Sequence, residues 1–290
     1  MKQKFLMIKG MQGLNMVFEQ LVRAKLFAEK DNTTQYTFVL NVRFFNHLKN
    51  IISIKNVNFI DMHTYKSINP NLTKPIQNFD RVLSSSVLYG SCDREWNTLM
   101  VEPFDGCSDL TDLIKNISLN NSVTEKIKHT KHILLDNNYL CVHFRATDCL
   151  SKHPNLTIDV FENELKNIIN TTKRKILLCT DSSILIKKYV DDKKVFCINH
   201  VRKAVDGGHG DLQCLHREIK DENNNIQNEL KNYGLTTYDV VESSVIDFFL
   251  MICADSLIAS KLGLFSKNAE RVRNTLISTN NYENFLNKFK

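Results

Sequence analysis

His143, Arg145 and Asp148 lie close together in the stretch Cys141-Val-His-Phe-Arg-Ala-Thr-Asp148. Their His-x-Arg-x-x-Asp spacing puts His143 and Arg145 on one side of an extended segment, because strand side chains alternate with period 2. The apolar run Tyr139–Val142 ahead of them reads as a buried strand. It hands an imidazole and a guanidinium to its C-terminal end, where open α/β sheets meet charged ligands. Arg145 suits a diphosphate, since its planar fork offers two parallel charge-assisted hydrogen bonds. The plainer reading is a strand end closed by an exposed Arg145–Asp148 ion pair, a contact of small energetic value. Spacing alone does not choose between the two.

Three other groups fall at strand ends or in the turns after them. The turn Gly10-Met-Gln-Gly-Leu-Asn15 follows the apolar run Lys4–Ile8 and opens a helix. Backbone N–H groups near Gly13 and Asn15 would there face an anion or a sugar, although any tight strand-to-helix turn favours glycine. Thr180-Asp181 follows the strand-like run Lys175–Cys179. The pair suits a nucleotide, and Asp181 equally suits the N-cap of a helix over Ser182–Tyr189. The last group runs from Ile246-Asp247 through Asp255 to Gly263, Phe265 and Ser266. It reads as helix, strand, turn and helix, with a polar turn that fits phosphate. No carboxylate pair reads as a metal site: Asp191-Asp192 runs straight into Lys193-Lys194, as a surface loop does.

Positioning these groups takes a layered chain. Leu14, Val17, Phe18, Leu21, Ala24 and Ala28 recur at helical spacing and give one buried stripe. A second strand follows over Tyr36–Phe45. Between Asn46 and Trp96, short apolar pieces (Ile51-Ile52, Val57–Ile60, Val82–Leu88) lie among Asn, Ser and Pro without a clear period. From Leu134 the pattern is regular. Apolar runs at Tyr139–Val142, Lys175–Cys179, Lys194–Ile198, Thr236–Val241 and Ser256–Ala259 read as strands and alternate with helical segments. One helix, Asp159–Ile169, opens on an Asp159/Glu162 pair resembling a capping box and turns Phe161, Leu165, Ile168 and Ile169 inward. Short continuous apolar strands between amphipathic helices imply parallel sheets covered on both faces. The expected fold class is therefore α/β, with one Rossmann-like domain over residues 1–135 and a second over 136–275. The remaining 276–290, with a helix at Tyr282–Lys290, is expected to pack back on the first.

Composition sets the class and excludes others. A chain of 290 residues, 42% apolar and 24% charged, is an ordinary globular protein able to bury one or two cores. Its net charge of +6 favours an anionic partner such as a nucleotide. The basic clusters Lys126/Lys128/Lys131, Lys173-Arg-Lys175, Lys187-Lys188 and Lys193-Lys194 are scattered and carry no interleaved aromatics, so nucleic acid is not the expected partner. The eight cysteines include no Cys-x-x-Cys and no zinc-type Cys/His spacing, and several sit in apolar runs as small hydrophobes. That usage fits a reducing compartment and leaves a Cys92–Cys107 bridge open. Phe5-Leu-Met-Ile8 is too short for a signal-peptide core, and no segment reads as a membrane span; the expected location is cytoplasmic.

These blocks, in this order, resemble the fucosyltransferase superfamily of GT-B architecture: the protein O-fucosyltransferases and, more distantly, the α1,2- and α1,6-fucosyltransferases. Gln12-Gly-Leu-Asn15 is similar to the family's N-terminal Gly-Asn loop, His143-Phe-Arg145 to its His-x-Arg motif, and Leu178-Cys-Thr-Asp181 to its second C-terminal block. Val245-Ile-Asp247 through Phe265-Ser266 is similar to its last block. The resemblance spans residues 4–45 and 139–275. It implies two Rossmann-like domains with parallel sheets facing a cleft, and an enzyme that moves fucose from GDP-fucose with inversion, without a metal or any further cofactor. Under it, Arg145 holds the β-phosphate and glycosidic oxygen, His143 supports the nucleotide and Asp247 contacts guanine. Phe265-Ser266 lines the diphosphate, and Gly13 and Asn15 act from the other domain. Asp148, Thr180, Asp181 and Gly263 complete the donor-binding set.

Three positions depart from the pattern. Ala146 stands where the family carries a second Arg or its equivalent. Gly263 stands where a Ser or Thr is usual in the phosphate turn. Gln12 occupies the place of a catalytic Glu in some protein O-fucosyltransferases and cannot act as a base. Glu19, Glu95 and Glu102 are the candidate bases, and proton loss to the departing phosphate is the route without one. The chain is thus expected to be a glycosyltransferase acting on a glycan or protein acceptor. The alternatives are a catalytically inactive nucleotide- or sugar-binding relative, and a GT-B transferase with another donor such as GDP-mannose or a UDP-sugar.

Overall fold

The structure, a computed structural model, describes residues 4–9, 14–30, 36–41, 47–55, 57–68, 81–84, 108–145, 155, 157–180, 182–189, 191–198, 236–261 and 264–290. The chain divides into two units, Met1–Asn120 and Asn121–Lys290. The division falls ahead of the sequence boundary at 135, so the helix Asn121–Ile133 belongs to the second unit.

In the first unit, β1 (Lys4–Lys9), β2 (Tyr36–Asn41), β4 (Asn58–Asp61) and β5 (Arg81–Ser84) form a parallel sheet in the order β4-β2-β1-β5. The helix α1 (Leu14–Lys30) joins β1 to β2 and buries Leu14, Val17, Phe18, Leu21 and Ala24, the stripe its spacing announces. Phe38, Val39 and Leu40 are buried in succession, as in a strand covered on both faces. The stretch that resists reading by period holds very short elements: α2 (Leu48–Ile51), β3 (Ile52–Ile54), then β4 and α3 (Met62–Ile68). A few residues cannot display a period of either kind. Later, α4 (Ser108–Asn116) leads into β6 (Ile117–Leu119), which pairs antiparallel with β3.

The second unit begins with α5 (Asn121–Ile133) and runs β7 (Tyr139–Phe144), α6 (Ile158–Thr171), β8 (Lys175–Thr180), α7 (Ser183–Tyr189), β9 (Val195–Cys197), α8 (Thr237–Cys253), β10 (Ser256–Ile258), α9 (Phe265–Ser278) and α10 (Tyr282–Leu286). Its sheet is parallel, in the order β10-β7-β8-β9. Every residue of β7 is buried. Leu140, Val142 and Phe144 join Ile176 and Leu178 of β8 against Phe161 and Leu165 of α6 and Leu185 and Ile186 of α7. The Tyr139 hydroxyl donates to the Leu250 carbonyl of α8 at 2.6 Å.

One expected strand is not there. Thr236–Val241 reads as β-branched and apolar, yet it starts α8: Thr236 accepts the Asp239 N–H and Asp239 accepts the Thr236 N–H, a complete capping box. From Val240 to Cys253 every residue of α8 is buried, so its apolar run carries no helical stripe to tell it from strands. The cap of α6 is also displaced, since Thr157 rather than Asp159 accepts the Val160 N–H. Glu162, expected in that box, is instead held by Lys166 and Lys188 at 2.5 and 2.6 Å. Those ammonium groups keep its carboxyl below the usual carboxylate range.

Within its own unit, the C-terminal segment packs on α5 and α8. Phe285 stacks on Phe249 of α8 with ring centroids 6.0 Å apart, and Lys131 of α5 donates to the Phe289 carbonyl at 3.0 Å. Other cations close helix ends that feed the strands. Lys175 donates to Ile133 O of α5 at 2.7 Å, Lys194 to Ile169 O in the last turn of α6 and to Thr172 O just past it, and Arg273 to Ala254 O after α8 at 2.8 Å. Positive groups suit the negative C-terminal ends of helices. These staples lie where strands begin, leaving the strands' carboxyl ends for other work. Among the described residues, no helix is long and apolar enough to cross a membrane.

Candidate functional site

Both parallel sheets share one topology: the first strand in sequence lies inside, the next two add on one side, and the fourth returns to the other side. The connections therefore diverge at the first strand, and open α/β sheets bind ligands at such a switch point, outside the strands' carboxyl ends. In the second unit that point lies between β7 and β10. His143 is the penultimate residue of β7, and Arg145 follows its last residue.

The side chains converge there from three elements. His143 is 5% exposed, and its Nδ1 lies 2.8 Å from Ser266 Oγ in the first turn of α9. The Ser266 hydroxyl also accepts the Ser260 N–H at 3.0 Å, and Ser260 Oγ accepts the Arg145 N–H in a long contact of 3.4 Å. Phe265 meets the His143 ring edge-on at 5.8 Å and the Phe248 ring at 5.5 Å, which seats the imidazole against α8 and α9. Leu264, ahead of α9, provides no side-chain cap. Ser260 is the residue the sequence reading missed. Its only signal is a small hydroxyl just past a strand end, which many turns share.

The remaining candidates are placed as follows. Thr180 ends β8, in register with Phe144, and its Oγ1 accepts the Ser182 N–H at 3.2 Å. Ser182 Oγ in turn accepts the Leu185 N–H at 3.3 Å, as a residue ahead of α7 does when it caps the helix. Asp247 is buried in α8, and its charge acts on Cys197 at the end of β9. Burial first, then the carboxylates of Asp247 and Asp192, push that thiol up to about 12. Asp192 accepts the N–H groups of Lys194 and Val195 at 2.7 and 3.0 Å, the work of a turn residue. Among the described residues, no three His, Cys, Asp or Glu side chains come together as a metal-ligand group.

In the first unit, Asn15 and Glu19 stand one turn apart on α1, and Asn15 Nδ2 donates to Glu19 Oε1 at 3.1 Å. Asn15 is buried, and Glu19 half-buried. Gly13, Glu95, Glu102, Asp148, Asp181 and Gly263 lie outside the described residues, as do Gln12, Ala146 and the Cys92–Cys107 pair. Cys141, Cys179, Cys197 and Cys253 are buried free thiols.

No family model matches the sequence, and no curated protein does. Solved structures do match. The chain is similar to NodZ α1,6-fucosyltransferase soaked with GDP-fucose, with a TM-score of 0.53 and 14% identity over 93% of each chain. It is also similar to the fucosyltransferase NodZ from Bradyrhizobium (TM-score 0.48, 15% identity, 93% of this chain and 92% of that one). A third match is POFUT1 in complex with GDP (TM-score 0.47, 12% identity, 93% and 94%). The first of these shows the fold: an α/β chain with the GT-B architecture found in that fucosyltransferase.

Proposed function

We propose that this chain transfers fucose from GDP-fucose to a hydroxyl of a glycan or protein, with inversion and without a metal ion. The observation that carries the reading is the end of β7, where His143 meets Ser266 at the start of α9 and the Arg145 backbone meets Ser260 beyond β10, at the switch point of a GT-B-like fold. The chemistry asks for such an arrangement. Glycosyl transfer passes through an oxocarbenium-like state, while negative charge collects on the departing diphosphate. Fixed cations and N–H donors lower the cost of that charge when they are already in place. Arg145 supplies the cation, and the first turn of α9 supplies backbone donors.

Asp247 is the guanine reader in this scheme, because a carboxylate accepts from both the N1–H and N2–H₂ groups of guanine, an edge that uracil lacks. Glu19, oriented by Asn15, is the base candidate among the described residues. A site that excludes bulk water would strengthen each of these contacts. Cytoplasmic residence belongs to the proposal too, supported by four buried free thiols.

A second reading has its own support. Gln12 and Ala146 remove a base and a cation from the family's pattern, as expected of an inactive nucleotide-sugar-binding relative. One experiment separates the readings. GDP should raise the melting temperature of the chain and UDP should not, and the chain incubated with GDP-fucose alone should slowly release GDP. Equal stabilisation by GDP and UDP overturns the guanine assignment. Stabilisation by GDP with no release, even when acceptors are supplied, selects the inactive relative.

A further inference from the structure

Ser266 is fully buried, and among the described residues its hydroxyl has two partners: the Ser260 N–H it accepts and the His143 ring nitrogen 2.8 Å away. A hydroxyl has one proton and two lone pairs. One lone pair takes the Ser260 N–H. Among the described residues, His143 Nδ1 is the one acceptor bonded to that hydroxyl, and a buried O–H places its proton on an acceptor. A proton given to Nδ1 requires that nitrogen to be bare. In a neutral imidazole the ring proton then sits on Nε2.

We propose that Ser266 and Ser260 are positioning residues. Ser266 donates to His143 Nδ1 and holds the ring as its Nε2–H tautomer, while Ser260 ties the same hydroxyl to the backbone of Arg145. This rests on reading the carboxyl edge of β7 as the site of an anionic nucleotide-sugar. The tautomer matters there because a phosphate oxygen is an acceptor: it is attracted by an N–H and repelled by a ring lone pair. The Ser266 hydroxyl is consequently spent on protein, and α9 has its backbone N–H groups to offer a phosphate rather than this side chain. The relay also crosses the switch point. It joins residues 123 apart in sequence (His143 and Ser266) and 115 apart (Arg145 and Ser260), so the two motif residues of β7 take their orientation from the far end of the unit.

The test uses the full chain labelled with ¹⁵N-histidine at neutral pH. Two-bond ¹H–¹⁵N spectra of the imidazoles report which nitrogen holds the proton, and His143→Gln assigns the signal among nine histidines. The expected result is the Nε2–H tautomer for the parent, with a mixture of tautomers in Ser266→Ala. A parent ring protonated on Nδ1 overturns the proposal, and so does an unchanged tautomer in Ser266→Ala. For Ser260, the Arg145 amide should exchange with solvent about three- to tenfold faster in Ser260→Ala, the scale of one lost hydrogen bond. Unaltered exchange removes Ser260 from the relay. Titration with GDP completes the set: Ser266→Ala should weaken binding by about three- to tenfold, and equal affinity overturns the positioning role. A parent chain that binds no GDP refutes the nucleotide-sugar reading, and the positioning role with it, while its tautomer stays a separate, readable fact.

Discussion

Arg145 follows directly on a strand whose every residue is buried, so its backbone direction is set before its guanidinium meets anything. If that guanidinium neutralises a leaving diphosphate, Arg145→Ala should lower turnover by about 10²–10³-fold, the scale of one missing transition-state donor. Arg145→Lys should also be poor, because a point charge does not replace a bidentate fork. A Lys variant as active as the parent, measured by GDP release with acceptor, would reduce Arg145 to a structural part. Glu19→Gln belongs beside it: collapse of turnover with GDP binding retained would identify the base, and a mild effect would favour proton loss to the departing phosphate. A third residue bears on stability alone. Burial by itself would raise the Asp61 pKa, but Lys49 and the Thr64 N–H outweigh it and bring the carboxyl to about 2. The Asp61 charge therefore stabilises the fold above its ordinary pKa of about 4, and that contribution fades as pH falls toward 2. Unfolding followed between these pH values should be less steep in Asp61→Asn, and an identical slope would refute this account.

At the scale of elements, α8 is the instructive case. Its 17 residues cross the second unit with all of Val240–Cys253 buried. A helix buried all round loses the stripe that makes helices readable, which is why Thr236–Val241 resembles a strand. The information was present in the capping pair Thr236 and Asp239, a local signal overruled by a run of β-branched residues. Thr236→Ala should destabilise the chain by about 1 kcal/mol, seen as a lower denaturant midpoint with an unchanged slope. No loss would mean that burial holds this end without its cap. By contrast, α1 and β8 were legible. In α1 one face is buried and the period survives, and β8 is a short apolar run closed by a polar pair. The site divides the same way. His143 and Arg145 announce themselves because they stand two positions apart at the end of one apolar strand. Ser260 and Ser182 do not, since a hydroxyl gains its role from what folds against it.

Viewed whole, the chain repeats one strand order in two units without repeating its sequence. Alternating apolar runs and helices made the α/β class readable, and the order of motifs made the family resemblance readable. The division after Asn120 was not, because α5 has the composition of either neighbour and is claimed by contacts that only folding creates: Lys126 with buried Glu242 of α8 at 2.5 Å, and Lys131 with Phe289. If charge neutralisation rests on Arg145 and backbone N–H groups, transfer should survive EDTA with its rate unchanged. Strict dependence on added Mg²⁺ or Mn²⁺ would overturn the metal-free scheme and favour other donors.

The place of β7 in its sheet has a consequence for how the protein is made. One edge of β7 pairs with β8, which leaves the ribosome soon after it, but the other waits for Ser256–Ile258, and Tyr139 finds its acceptor Leu250 111 residues downstream. Until then a nascent chain carries an apolar strand with an open edge, a template for pairing with the wrong neighbour. The motif at the end of β7 is thus translated well before the strand that completes its sheet. Ribosome-bound chains stopped at Cys253 should remain cleavable around Tyr139–Phe144 and lean on chaperones, whereas released chains that include β10 and α9 should resist the same protease. Early protection of the stopped chains would show that the second unit closes without its last strand.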